Sequence, residues 1–126
     1  MIKEDHQVLK HPLKRDIYSY GMVCFEILTG RVPFSSVLNE KEVKSLVLQG
    51  KRPILPEDPQ KCSLLLKELI ESCWSSNPRK RPTFMDICSK LKYLKYLLMR
   101  SCKLLPIIFV AVYLRRICYE IVLFYV

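Results

Sequence analysis

The sequence predicts an all-α chain built around one buried helix. Three observations carry this reading. Four segments repeat apolar residues at the three-to-four spacing of a helix face. Capping residues or glycine mark several of their ends. The prolines, 8 among 126 residues, fall mostly between the segments and break the chain into separate elements. Half of the residues are hydrophobic, enough for the core of one modest domain.

The elements follow in order. Residues 1–15 are polar and lack a sustained period, so they read as a loop, with the backbone at His11 held extended by Pro12. Asp16 reads as an N-cap, its carboxylate accepting from the exposed amides of the next turn. Ile17, Tyr20, Gly21, Cys24, Ile27 and Leu28 then recur at helical spacing, while Val23 and Phe25 fill most of the remaining circumference. A helix apolar nearly all round belongs at the centre of a fold. Gly30 ends it. Glu26 is its lone interior charge, and a buried charge needs a partner. Val32, Pro33 and Phe34 form a loop with an anchoring aromatic. A short amphipathic helix over 40–49 places Val43, Leu46 and Val47 on one face, with Gly50 after it. Pro53, Pro56 and Pro59 make 51–61 irregular. A third helix over 63–75 carries the stripe Leu65, Leu66, Leu69, Ile70, Cys73 and Trp74. Pro78 and Pro82 bracket a tight basic loop. Thr83 opens a fourth helix, Asp86 completes its capping pattern, and Phe84, Ile87, Cys88, Leu91 and Leu94 form its buried face.

The formal net charge of +9 would suit nucleic acid, an anionic membrane or an acidic partner. The basic residues are instead dispersed from Lys3 to Arg116 with no aromatic-interleaved stripe, so a solvated surface is the better reading and no nucleic-acid partner is expected. The 6 cysteines form no CxxC pair, and only His6 and His11 could join them, which argues against zinc and against a disulfide framework. Cys24, Cys73 and Cys88 lie on apolar faces, where a thiol acts as a small hydrophobe. No basic-then-apolar leader follows Met1. A reduced, cytoplasmic setting is expected, with membrane association through the tail as the alternative.

Asp-x-Tyr-Ser-x-Gly from Asp16 to Gly21 opens the central helix, and Thr29-Gly30 closes it. Pro33-Phe34, Cys73-Trp74 and the Pro78, Arg81, Pro82, Phe84 pattern follow at set spacings. This ordered set resembles the C-terminal lobe of protein kinases. The Cys-Trp and Arg-Pro-Thr-Phe wording is similar to the tyrosine kinase-like group, which includes many plant serine/threonine kinases. The resemblance is traced from Asp16 to about Leu97. It implies the helical lobe of the kinase fold, truncated: residues 1–97 as a partial kinase domain, and 98–126 as an appended apolar and basic tail. It also implies a family reaction, transfer of the ATP γ-phosphate to a protein serine or threonine with magnesium, and a protein substrate or regulator as partner. Four positions carry over as structural: Asp16, which in the family holds the catalytic-loop backbone; Gly21; Trp74, packed between helices; and Arg81, which pairs with the Glu of an Ala-Pro-Glu motif. That motif is read as absent. Arg81 should then be an unpaired buried charge or turn outward, and losing one member of a buried pair costs about 3–5 kcal/mol.

The departures concern chemistry. Kinases transfer phosphate by positioning and charge neutralisation. They use a Gly-rich loop, a strand Lys, a catalytic Asp and the Asp of Asp-Phe-Gly. This chain has only Gly21, Gly30 and Gly50, has Gln7 after His6 and Pro12 after His11, and has no Asp-Phe-Gly. No catalytic, cofactor-binding or metal-binding residue is assigned, and no ATP or magnesium is expected in the chain alone. The alternative reading is a non-catalytic interaction module, docking partners through Lys41, Lys44, Lys51 and Arg52. With the catalytic loop missing, Tyr18, Tyr20 or Glu26 should be exposed, and folding should be marginal.

The tail admits three readings. Leu104 to Leu114 is too short to span a membrane, which takes about 20 apolar residues. A longer span would place Arg115, Arg116 and Glu120 near its middle, with each central Arg costing about 2.5–3.5 kcal/mol. An amphipathic helix lying on a membrane or a partner is the second reading. The favoured third is an appended sequence that packs poorly and is prone to aggregate.

Overall fold

The structure, a computed structural model, describes residues 12–101 and 112–117. Of the loop read over residues 1–15, residues 1–11 lie outside the described residues, as does most of the tail. Among the described residues every regular element is helical, as the sequence predicts.

Helix α1 spans Pro12–Thr29. It begins four residues before Asp16, so Asp16 lies in its second turn and is not an N-cap. Pro12 explains the difference. Proline suits the first helical position, where its missing N–H would be an orphan and its fixed φ is already helical. The buried face consists of Ile17, Tyr20, Gly21, Cys24 and Phe25. The helix is not enclosed all round: Val23 is 41% exposed and Glu26 faces solvent, so that charge needs no buried partner. Its neighbours include the helix over Leu64–Cys73 and the 3₁₀ turn over Pro78–Lys80. Gly30, at φ +66°, takes the left-handed conformation that closes a helix, and its N–H donates to the Glu26 carbonyl at 2.8 Å. Phe34 adopts φ +58° without glycine's freedom, a strain of about 1–2 kcal/mol, and its side chain is half-buried.

Helix α2, Glu40–Leu48, is capped by Asn39, whose side chain accepts from the Lys41 amide at 2.9 Å. It buries no residue fully and rides on the surface through half-buried Val43, Leu46 and Val47. The proline-rich stretch that follows is irregular, as read, and is pinned by buried Leu55 and Cys62.

Helix α3, Leu64–Cys73, starts at Ser63, whose hydroxyl accepts from the Leu66 amide at 3.3 Å. Leu66, Leu69, Ile70 and Cys73 are buried, followed by Trp74. Leu65, expected in the stripe, is 45% exposed.

A 3₁₀ turn over Pro78–Lys80 leads into helix α4, Phe84–Ser101. Thr83 and Asp86 form the predicted reciprocal cap. The Thr83 amide donates to Asp86 Oδ2 at 2.9 Å, and the Asp86 amide donates to Thr83 Oγ1 at 3.2 Å. The Thr83 hydroxyl and amide hold the Asp86 carboxyl below its usual range. A depressed carboxylate stabilises the fold above its ordinary pKa, and that contribution fades as pH falls through the depressed value. Phe84, Ile87, Cys88, Leu91, Leu94 and Leu98 line the buried face, and the helix runs four residues beyond position 97.

The tail reading changes at residues 112–117, which are helical. Leu114 is fully buried in the common core and Ile117 packs against it. The buried Tyr20 hydroxyl donates to the Leu114 carbonyl at 3.0 Å. The Tyr20 ring meets Phe84 edge-on, with centroids 5.9 Å apart. Tyr20 is therefore interior, not exposed, because this segment and the start of α4 cover it. Here the tail is part of the fold and does not pack poorly. Among the described residues no helix is long and apolar enough to cross a membrane.

Cys24, Cys62, Cys73 and Cys88 are buried free thiols. Burial pushes Cys24 and Cys62 upward and Cys73 to about 12. Thiolate is the reactive form, so these groups are inert at neutral pH. Labelling the native chain with an aromatic disulfide reagent and mapping by mass spectrometry should leave Cys24, Cys62 and Cys73 unmodified until denaturant is added. Rapid native labelling of Cys73 would contradict this packing.

Candidate functional site

The sequence-predicted structural positions fall at two places. Gly21 and Trp74 meet where α1 crosses α3. A Cβ at Gly21 would lie 3.1 Å from Cys73 Cβ and 3.6 Å from Trp74 Cβ, so the glycine is what lets the two helices approach. Trp74 is core, with its ring 6.4 Å from that of Phe25, as expected. Asp16 is half-buried on α1.

Arg81 belongs to the second place. It is half-buried and turned inward, and among the described residues its hydrogen-bond partners are neutral carbonyls. Its Nε donates to the Ser75 carbonyl at 2.9 Å and its Nη1 to the Lys14 carbonyl at 2.7 Å. Lys14 Nζ reciprocates by donating to the carbonyls of Arg81 and Pro82. The guanidinium lies 5.0 Å from the centroid of the Tyr18 ring. Burial lowers the Arg81 pKa, the Tyr18 phenol opposes that, and the neighbouring Arg52 charge adds to it.

Of the predicted docking residues, Lys41, Lys44 and Lys51 are exposed, whereas Arg52 is half-buried and turned inward. Its guanidinium donates to the carbonyls of Trp74, Val47 and Lys51 and to the Ser76 hydroxyl. It also sits 5.2 Å from the Tyr18 ring centroid. Arg52 is thus no part of one surface patch with the lysines. It joins Arg81 on the same aromatic ring. Guanidiniums within about 6 Å of a ring centroid are attracted by its quadrupole.

Around Tyr18 opens a cleft of about 680 Å³, lined by Lys14, Arg15, Tyr18, Arg52, Ser76 and Arg81 among others, with no acidic residue among the described residues of the lining. The Tyr18 oxygen is buried and makes no hydrogen bond. Burial raises the phenol pKa, against the lowering effect of the two arginines. Sequence reasoning missed Lys14, Tyr18 and Ser76. Lys14 and Tyr18 are four apart and share a helix face, but nothing local brings them to Arg52 or Arg81.

Among the described residues no group of His, Cys, Asp and Glu could hold a metal ion. The three glycines serve a helix crossing and two helix ends, so none forms a phosphate-cradling loop. The described residues thus offer neither a phosphate-cradling glycine loop nor a metal-ligand group.

Described residues whose regular elements are all helical, with this order of caps, crossing glycine, core tryptophan and arginine loop, define the class as the helical part of a protein kinase domain. A sequence profile of the protein tyrosine and serine/threonine kinase family matches residues 2–91, and the chain belongs to that family. The match reaches 14 residues further back than the resemblance traced from Asp16 (16 − 2). A light-sensor protein kinase of Ceratodon purpureus is 56% identical over 98 residues, covering 78% of this chain and 7% of the relative. The dual specificity protein kinase pyk3 of Dictyostelium discoideum is 37% identical over 82 residues, covering 65% of this chain and 6% of the relative. Kinase suppressor of Ras A of Caenorhabditis elegans is 45% identical over 76 residues, covering 60% of this chain and 10% of the relative. The chain thus spans a tenth or less of each of these proteins.

Proposed function

We propose that this chain is a scaffold portion of a serine/threonine protein kinase and neither binds ATP nor transfers phosphate by itself. In a protein that also supplies the nucleotide-binding and catalytic elements, the reaction would be transfer of the ATP γ-phosphate to a protein hydroxyl with magnesium. One observation carries the reading. The family positions that occur here, Gly21, Trp74 and Arg81, are engaged in helix packing and loop anchoring. The sequence also lacks the Gly-rich loop, His-Arg-Asp and Asp-Phe-Gly patterns on which phosphoryl transfer depends. Calorimetric titration of the intact chain with magnesium-ATP should show no saturable heat. Stoichiometric binding would refute the proposal.

A second reading, a protein-interaction module, is favoured by the exposure of Lys41, Lys44 and Lys51 around α2. Reversing the charge of Lys41 and Lys44 together should weaken capture of an acidic peptide while leaving the melting temperature unchanged, since both side chains are exposed. Unchanged capture would remove this reading. A cytoplasmic setting remains part of the proposal, with membrane contact through the tail as its alternative.

A further inference from the structure

We propose that the outer face of helix α4 docks this chain on a membrane surface carrying anionic lipid, through Lys92, Tyr93, Tyr96 and Arg100 with Met85 and Met99 beside them. The docking does not rest on the kinase reading, and it uses a folded helix rather than the apolar tail.

One face of α4 is committed to the core through Ile87, Leu91, Leu94 and Leu98. Met85, Lys92, Tyr93, Tyr96, Met99 and Arg100 recur at intervals of three, four or seven residues on the opposite side, and all six are exposed. The two tyrosines and two methionines are 55–67% exposed. The stripe runs about 22 Å along the helix. Single exposed apolar residues are ordinary, whereas large ones aligned on one face and rimmed by polar residues mark an interaction surface.

The charge of this region points to the partner. From Ile87 to Tyr119 the sequence has seven Lys and Arg and no Asp or Glu. Most of the net charge of +9 therefore lies at this end, more concentrated than the even spread read along the whole chain. Glu4, Asp5 and Glu120, the three acids outside the described residues, are too few to neutralise it wherever they lie. Arg100 Nη1 donates to the Tyr96 hydroxyl at 3.2 Å, and the guanidinium lies 5.7 Å from that ring centroid. Both contacts are to a neutral group, so the cation keeps its charge.

Cations and large apolar groups share this face, and a lipid surface answers both. Anionic headgroups attract Lys92 and Arg100. The boundary of the acyl chains takes the methionines, and tyrosine rings sit at the headgroup level with their hydroxyls wet. A nucleic acid would answer the cations and the rings but offers the methionines no apolar phase.

The test sediments the intact chain with vesicles of phosphatidylcholine, alone or mixed with phosphatidylserine. Binding should be saturable on the mixed vesicles and weak on phosphatidylcholine alone. Lys92→Gln combined with Arg100→Gln should weaken it about 25-fold, about fivefold for each cation near an anionic surface. Both positions are exposed, so the melting temperature should not change. Lys41→Gln combined with Lys44→Gln makes the same change of net charge on α2 and should weaken binding far less. In a Tyr93→Trp chain the new indole should shift its emission to the blue on mixed vesicles and be quenched by brominated acyl chains, while Trp74, in the core, should not respond. Equal losses from the two lysine and arginine pairs would reduce the effect to net charge and overturn the site. So would an unquenched indole, or tighter binding to a single-stranded oligonucleotide than to mixed vesicles.

Discussion

Replacing Leu114 with alanine should destabilise the chain by about 2–5 kcal/mol, the range for truncating a fully buried leucine. Leu114 has no exposed surface, although it lies 94 residues from its partner Tyr20. Truncation removes apolar burial and leaves a cavity next to Tyr20. The effect should be visible as a lower midpoint in chemical denaturation with an unchanged slope. Tyr20→Phe should add its own loss of about 1–3 kcal/mol, because the buried Leu114 carbonyl would lose its donor. Leu114→Ala keeps the carbonyl that Tyr20 bonds, but both changes fall in one packed region of the core, so they should be non-additive in a double-mutant cycle. If Leu114→Ala shifted stability by no more than a surface substitution does, about 0.5 kcal/mol, the segment at 112–117 would be no part of the core.

Gly21 carries the second large effect. Alanine would raise helix propensity by about 1 kcal/mol relative to glycine. Against that, the new Cβ would sit 3.1 Å from Cys73 Cβ, 3.5 Å from the Ile70 carbonyl and 3.6 Å from Trp74 Cβ. Two of these atoms are the Cβ stubs of α3 and its cap, and the third is backbone, so relief requires moving α3 away from α1. Overpacking of this kind costs about 1–3 kcal/mol, which outweighs the propensity gain. Gly21→Ala should therefore lower stability, and Gly21→Val should lower it further, with more bulk and no comparable propensity gain. Cys73→Ala should not rescue Gly21→Ala, because the close contact is with Cβ, which alanine retains. A more stable Gly21→Ala chain would mean the helices are not in close contact here.

The parts of the fold legible in the sequence are those specified by local chemistry. Ser63 and the Thr83–Asp86 pair mark helix starts because their side chains satisfy amides three residues away. The stripes of α3 and α4 were readable because one face of each is buried against neighbours in the same chain. The start of α1 differs from the sequence reading because His11-Pro12 reads as a loop signal, while proline also opens helices. Glu26 is exposed, as one of the three residues for which exposure is expected, while periodicity alone would have placed it inside the helix's apolar surround. The role of Leu114 was hidden within a continuous apolar run, where no period singles out one residue. The candidate site was the least legible part. Residues 14, 18, 52, 76 and 81 converge only in three dimensions. Arg52 looked like a surface charge beside Lys51, and only its partners showed it to be internal.

The central claim is that the chain folds as a helical kinase scaffold around α1 without a nucleotide site. Hydrogen–deuterium exchange of the intact chain, with and without magnesium-ATP, tests it most directly. The account predicts that amides from Ile17 to Phe25, on the buried face of α1, exchange slowest and that ATP changes no segment. Exchange of α1 as fast as the exposed 57–61 loop, or protection gained anywhere on adding ATP, would contradict it.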